Sequence, residues 1–293
     1  MKLLVTGRDG QLARSLAERS AGAAGIELTF VARPEVDLAV EGSLAAAIAA
    51  ARPDVVVNAA AYTAVDKAED EPELALRING AAAGEAAEAA ARVGAAIIHV
   101  STDYVFDGRA STPYREDSAM GPINAYGRTK LAGEEAVRAG NPRHVILRTA
   151  WVVSPFGSNF IKTMLRLAET RDELRVVGDQ QGCPTDARDL ADAILAIAGR
   201  WRDEPELGLG ETYHVAGTGQ CSWAELAGQV MADSAAAGGP SARVVPITTA
   251  DYPTRAARPG YSVLDSDKVA RTFGVTMPEW RAATGRLVQR LLA

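Results

Sequence analysis

The sequence predicts an α/β fold: a doubly wound parallel sheet with a smaller α/β lobe towards the C-terminus. Three observations lead there. Short β-branched runs alternate with alanine-rich helical stretches through the first half of the chain. The gaps between those runs are long enough to hold a helix, which parallel neighbours require. Beyond residue 150 the rhythm breaks, and glycine and proline interrupt the pattern.

Taken in order, KLLVT (2–6), IELTFVA (26–32), DVVVN (54–58), AAIIHVS (95–101) and HVILRTA (144–150) read as strands. Helical segments near 11–20, 42–51, 72–93 and 126–139 fill the gaps. DVVVN and IIHVS are almost continuously apolar, as strands covered on both faces are. Residues 1–150 are therefore expected to form one parallel unit. Residues 151–293 are expected to form a lobe partly interleaved with that sheet. There a helix near 159–170, a helix beginning near 186, a strand TYHVAG (212–217) and a helix from Ser222 are predicted. No repeat of 20–50 residues is evident.

Composition narrows the function classes. At 293 residues and 47% hydrophobic, the chain can bury a large core. Its formal charge of −6, with both signs mixed along the chain, offers no basic stripe for nucleic acid and no polybasic membrane patch. The opening MKLLVTG has too short an apolar run for a signal peptide. The alanine-rich run 81–98 is broken by Glu85, Glu88 and Arg92, so it reads as an amphipathic helix and not a membrane span. Cys183 and Cys221 stand in no C-x-x-C pair and beside no histidine cluster, which makes them core residues and supports neither a disulfide framework nor a zinc site. His99 and His214 fall inside apolar strands and His144 at a strand start, so all three read as structural. The expectation is a cytoplasmic protein.

VTGRDGQLA (5–13) follows the first strand and opens the first helix. Gly7 allows a tight turn, Gly10 lets the backbone approach a pyrophosphate, and Ala13 keeps the helix close to its strand. The helix N-terminus adds free N–H groups and a favourable dipole. A Rossmann-type dinucleotide fold is the expectation. The second strand ends FVARPEVDL, without the acid that would accept from an adenosine ribose. Arg33 stands there, equally readable as a partner for a 2′-phosphate or as a surface arginine before a turn. The lean is towards NADPH, with NADH left open.

In NAYGRTKLAGEE (124–135), Tyr126 and Lys130 are four residues apart and share a helical face. Taken alone, the pair reads equally well as a packed ring beside a solvated ammonium. The surrounding motifs decide. IIHVSTDYVFDG (97–108), NAAAYTAVDKAE (58–69), NAYGRTKLAGE (124–134) and LRTAWV (147–152) together resemble the extended short-chain dehydrogenase/reductase superfamily, and within it the dTDP-4-dehydrorhamnose reductases. The resemblance continues through SNFIKTMLRLA (158–168), DQQGCPTDARDLA (179–191) and RPGYSVLD (258–265).

That resemblance implies reduction of a 4-keto group on a dTDP-deoxysugar, with Thr102, Tyr126 and Lys130 as the catalytic group. It implies cofactor contacts from Gly10, Gln11, Leu12, Asp37, Leu38, Ala61, Tyr62 and Thr63, and from Tyr126 and Lys130 themselves. Substrate contacts fall on Thr102, Asp103, Tyr126 and Trp151, with Arg258 placed to meet the nucleotide diphosphate. An unperturbed phenol titrates near 10, so the Lys130 ammonium is expected to lower Tyr126 into a useful range. Trp151 is expected to stack on the sugar or its carrier.

Three rivals stay in view. Related dehydratases follow the threonine with an Asp-Glu pair, whereas this chain reads Asp103-Tyr104, which leaves water elimination without its base. Another nucleotide-sugar 4-ketoreductase or an epimerase is not separable by composition. A non-catalytic homologue, resembling the regulatory subunit of methionine adenosyltransferase, is the reading from a different class. The chemistry requires no metal, although a magnesium ion at a dimer contact is associated with some family members, and a homodimer is compatible with the chain.

Overall fold

The structure, a computed structural model, describes residues 1–293. The first unit runs β1 (Lys2–Thr6), α1 (Gln11–Ser20), β2 (Glu27–Val31), α2 (Ser43–Ala51), β3 (Val55–Asn58), α3 (Pro72–Leu76), α4 (Ala82–Arg92), β4 (Ala96–Thr102), α5 (Ala125–Gly140) and β5 (His144–Thr149). There follow β6 (Val152–Val153), α6 (Phe160–Ala168), β7 (Glu173–Val177), β8 (Gln181–Gly182), β9 (Thr185–Asp186), α7 (Ala187–Arg200), β10 (Glu211–His214), β11 (Cys221–Ser222), α8 (Trp223–Ala236), β12 (Arg243–Ile247), α9 (Asp267–Phe273) and α10 (Trp280–Leu292).

The main sheet has six parallel strands in the order β10-β5-β4-β3-β1-β2. Alternation along each central strand sorts its side chains between two helical layers. Leu3, Val5, Val57, Ile98 and Leu147 join a cluster with Leu16 of α1 and Ile194 of α7. Their neighbours Leu4, Val56, Ile97 and Ile146 turn to the opposite face, against Leu44, Ile48 and the alanines of α4. Burying each such aliphatic side chain stabilises the fold by roughly 1.5–3 kcal/mol. The order of strands reverses at β1, between β2 and β3, so the crevice at the carboxyl edge opens there.

The predicted helix 72–93 is divided. A π-turn over Arg77–Ala81, sequence RINGA, separates α3 from α4. Asn79 within it is buried and faces α5. Packing of α4 on α5 depends on small residues: a Cβ on Gly84 would lie 3.0 Å from that of Ala136, and one on Gly133 would lie 2.1 Å from the Asn79 carbonyl oxygen. Close approach of this kind fixes where α5 carries its side chains.

After β5 the chain builds a second core from α6, α8, α10 and the parallel pair β7–β12, with Ile161, Leu226, Val230, Trp280 and Leu287 fully buried. Two-residue strands pair β8 with β11 and β6 with β9. The predicted strand 212–217 ends early, because Val215 to Gly217 leave the ladder, but its first part is the sixth strand of the main sheet. No helix is long and apolar enough to cross a membrane.

Candidate active site

Thr102 is the last residue of β4 and pairs in register with Thr149 at the end of β5. Its hydroxyl caps the following turn by accepting from the Tyr104 N–H (3.2 Å), and it donates to Asp103 Oδ1 (2.9 Å). Asp103 is buried, and its Oδ2 has no partner. Burial pushes that carboxyl up to about 6, with the Ser262 and Thr102 hydroxyls offsetting part of the rise.

Tyr126 and Lys130 reach the same edge from the first turns of α5. Asn124 caps this helix by accepting from the Gly127 N–H at 2.8 Å. Tyr126 packs edge-on to Tyr104, with ring centroids 5.5 Å apart at 79°. Lys130 is buried, and its Nζ donates to the Val100 carbonyl at 2.7 Å. Burial pulls its ammonium down to about 8, and the Glu134 carboxylate one turn on holds it up against that pull.

The expected lowering of the Tyr126 phenol does not occur. Burial pushes it up to about 12, the Thr102 hydroxyl acts downwards, and the Asp103 charge adds to the rise. The reason is geometric. Lys130 points its ammonium at the Val100 carbonyl, leaving the phenol to its apolar surroundings and a neighbouring carboxylate.

The dinucleotide loop fits its expected ligand. Gly7 adopts φ +85° and donates to the Val31 carbonyl at 2.8 Å, which closes the turn. Gly10 is the N-cap of α1, has no side-chain cap, and a Cβ there would meet nothing within 4 Å. The first intrahelical bond runs from Arg14 N–H to the Gly10 carbonyl, so the N–H groups of Gln11, Leu12 and Ala13 remain free for an anion. At Gln11 and Leu12 only the backbone is left free. The Gln11 side chain bonds Val152, Ser154 and Asn159, and the Leu12 side chain is core.

Arg33 is exposed at the end of β2, and Arg8 donates to its carbonyl at 3.3 Å, bringing a second guanidinium to the same corner. Asp37 accepts from the Ala39 N–H, and Leu38 packs on the core beneath. Ala61, Tyr62 and Thr63 follow β3 on the carboxyl side of the sheet. The Tyr62 backbone is bonded at both ends to the Asn79 amide, 2.8 and 3.1 Å, which fixes this loop.

Two of the expected substrate residues are differently disposed. Arg258 is largely buried and pairs with Asp66 at 2.8 Å, so its guanidinium is not free. Trp151 stacks on Trp223, with centroids 3.5 Å apart at 6°.

Several contributors were not anticipated. Glu134, fully buried, accepts from Arg148 (2.9 and 2.7 Å), Arg138 (2.9 Å) and Ser101 (2.6 Å) directly beneath Lys130. The ladder Lys130, Glu134, Arg138 at intervals of four was available as a signal. An Asn-Gly pair inside the predicted helix marked Asn79 in the same way. The buried chain Thr6–Asn58–His99 (2.9 and 3.0 Å) ties β1, β3 and β4 together, and nothing local announces it. No group of three or more His, Cys, Asp or Glu side chains is placed to hold a metal ion.

Comparison with known proteins gives a consistent result. The family model described as RmlD substrate binding domain matches residues 1–293. The dTDP-4-dehydrorhamnose reductase of Sinorhizobium fredii is 48% identical over 292 residues, 100% of this chain and 98% of that protein. Among solved structures, that of a dTDP-4-dehydrorhamnose reductase from Clostridium acetobutylicum superposes with a TM-score of 0.91 at 38% identity, covering 100% of both chains. The Bacillus anthracis dTDP-4-dehydrorhamnose reductase in complex with NADP gives 0.88 at 34% identity, covering 98% of each. Matched by the family model over its whole length and by full-length relatives in both sequence and fold, the chain belongs to the dTDP-4-dehydrorhamnose reductase family.

Proposed function

We infer that the protein is an NADPH-dependent oxidoreductase that reduces the C4 keto group of dTDP-4-dehydro-6-deoxy-L-mannose (dTDP-4-dehydrorhamnose) to dTDP-L-rhamnose, in a cytoplasmic setting. The observation that carries the mechanism is the convergence of Thr102, Tyr126 and Lys130 at the end of β4 and the start of α5. The bound dinucleotide supplies a hydride to the carbonyl carbon.

Tyr126 donates its proton to the keto oxygen. At about 12 the phenol is fully protonated near neutrality, so it arrives as a loaded acid, and it transfers the proton as negative charge develops on that oxygen. Thr102 orients the oxygen. Its one proton is engaged by Asp103, so donation to the substrate requires that bond to be exchanged. Lys130, anchored at Val100, presents its remaining donors to the nicotinamide ribose. The free N–H groups opening α1 would hold the phosphates of the cofactor, and Arg33 with Arg8 would meet a 2′-phosphate.

Residues 1–150 hold the dinucleotide in this reading, and residues 151–293 mainly hold the sugar nucleotide while lending β10 to the sheet. Trp151, and Asp103 through its bond with Thr102, are the residues that would meet the sugar. Tyr104, standing where a dehydratase carries glutamate, is half-buried edge-on to Tyr126, and desolvation raises its phenol, so it supplies no base, which favours simple reduction.

The test is direct. Purified protein with NADPH and the keto sugar, generated in place, should consume NADPH in a sugar-dependent manner, and Tyr126→Phe should abolish that consumption. Nucleotide binding without turnover in the wild type would favour the regulatory alternative, and interconversion without net NADPH loss would favour an epimerase.

A further inference from the structure

Trp151 sits in a backbone conformation that bulky residues rarely adopt, with φ +46°. It lies two residues beyond Thr149, the register partner of Thr102, and so at the mouth of the site. Strained residues persist only where their surroundings over-determine them. Here the surroundings are two covers on one indole. Trp223 lies flat on one face at 3.5 Å and 6°, and is itself braced by Phe160 at 4.7 Å.

Gly182 lies on the other face. A Cβ there would stand 2.3 Å from Trp151 Cε2 and 2.6 Å from both Cζ2 and Nε1. Cζ2 and Nε1 stand farther from that point than Cε2 does, whereas in the ring plane beyond Cε2 they would stand closer, so the point lies above the ring and not beside it. Trp223 already fills the opposite face, so only a glycine backbone fits here. Both covers come from one small unit: Gly182 ends β8 and pairs in register with Cys221 of β11, and Trp223 follows that strand as the first residue of α8.

We propose that Trp223 is a positioning residue for the sugar: with Gly182 it clamps Trp151, so that this indole meets the sugar with its ring edge and not its face. An indole edge carries the positive end of the ring quadrupole, and that polarity suits the oxygen-rich rim of a deoxysugar. The proposal rests on the reductase reading given above. It replaces face stacking, which the two covers exclude, with an edge contact whose direction is set by a residue outside the reacting group.

The experiment compares steady-state kinetics of the wild type, Trp223→Leu and Trp223→Phe with the keto sugar and NADPH. Wild-type turnover tests the reductase reading itself, and the variant-to-wild-type ratios test the clamp. Trp223→Leu should raise KM for the keto sugar about tenfold while leaving kcat and the NADPH KM within about threefold, a pattern of lost substrate binding. Trp223→Phe, which keeps a flat cover, should restore most of the loss. An unchanged sugar KM in Trp223→Leu overturns the proposal. So does a parallel fall in kcat and both affinities accompanied by a lower melting temperature, which marks a role in packing alone.

Discussion

A methyl group on Gly127 would lie 2.2 Å from the Tyr104 carbonyl oxygen, so only glycine lets the first turn of α5 press against the end of β4. That approach is what brings Tyr126 beside Thr102. In an exposed helix, Gly→Ala stabilises by about 1 kcal/mol. Here the sign should reverse. Gly127→Ala is expected to destabilise by about 1–3 kcal/mol in a denaturant titration, as overpacking does, and to reduce kcat by displacing the phenol. A stability gain would mean that α5 has room to shift.

The reacting groups should separate kinetically. Tyr126→Phe removes the proton donor and is expected to lower kcat roughly a hundredfold to ten-thousandfold, with NADPH binding retained. Thr102→Val keeps the shape and removes the hydroxyl. Its kcat should fall less steeply, and Asp103 should lose a hydrogen bond that now restrains its proton affinity. Fluorescence titration with NADPH alongside stopped-flow turnover distinguishes the two steps.

Asp103 predicts a stability profile with an unusual sign. The folded protein holds this proton up to about pH 6, whereas the unfolded chain releases it in the ordinary aspartate range. Between those values the native state binds the extra proton, so stability falls as pH rises through that window and stays reduced above it. Asp103→Asn should therefore raise stability near neutrality by up to about 3 kcal/mol and flatten the acid side of a melting-temperature profile. Activity should drop in the same variant, because Thr102 loses its carboxylate partner. A destabilised variant would show that the buried carboxylate is better satisfied than its unpartnered Oδ2 indicates.

Lys130 and Glu134 govern the alkaline side. With Lys130 at about 8, the buried ammonium costs stability below that pH, and the cost is relieved as pH rises towards the ordinary lysine range. Function runs the other way. The kcat/KM for NADPH should fall above about pH 8 as the ammonium is lost.

Glu134→Gln leaves Arg148 and Arg138 without their buried carboxylate, at a cost of about 3–5 kcal/mol, and also removes the charge that holds Lys130 protonated. The alkaline limb of the pH–rate profile should move to lower pH. If the limb stays in place while stability falls, Glu134 is structural only.

Much of this arrangement was legible in the chain because it is local. Strand β1 and helix α1 match the predicted 2–6 and 11–20, and β3, β4 and β5 fall within a residue of their apolar runs. Short β-branched stretches and intervals of four specify strand ends and helix faces without reference to the rest of the molecule. Thr102 at a strand end and Tyr126 with Lys130 on one helical face follow from that alone. What packing and pairing decide was not legible. Burial set Tyr126 at about 12 against the expected lowering, Asp66 took the guanidinium of Arg258, and Gly182 with Trp223 closed both faces of Trp151. The strand near 212–217 and its interleaving with the sheet were expected, whereas its place at the edge beside β5 and its end at His214 were decided by pairing. Desolvation and partner choice depend on atoms brought together from distant segments. Only the tertiary structure assembles them, whereas the periodicity of each element is written in its own residues.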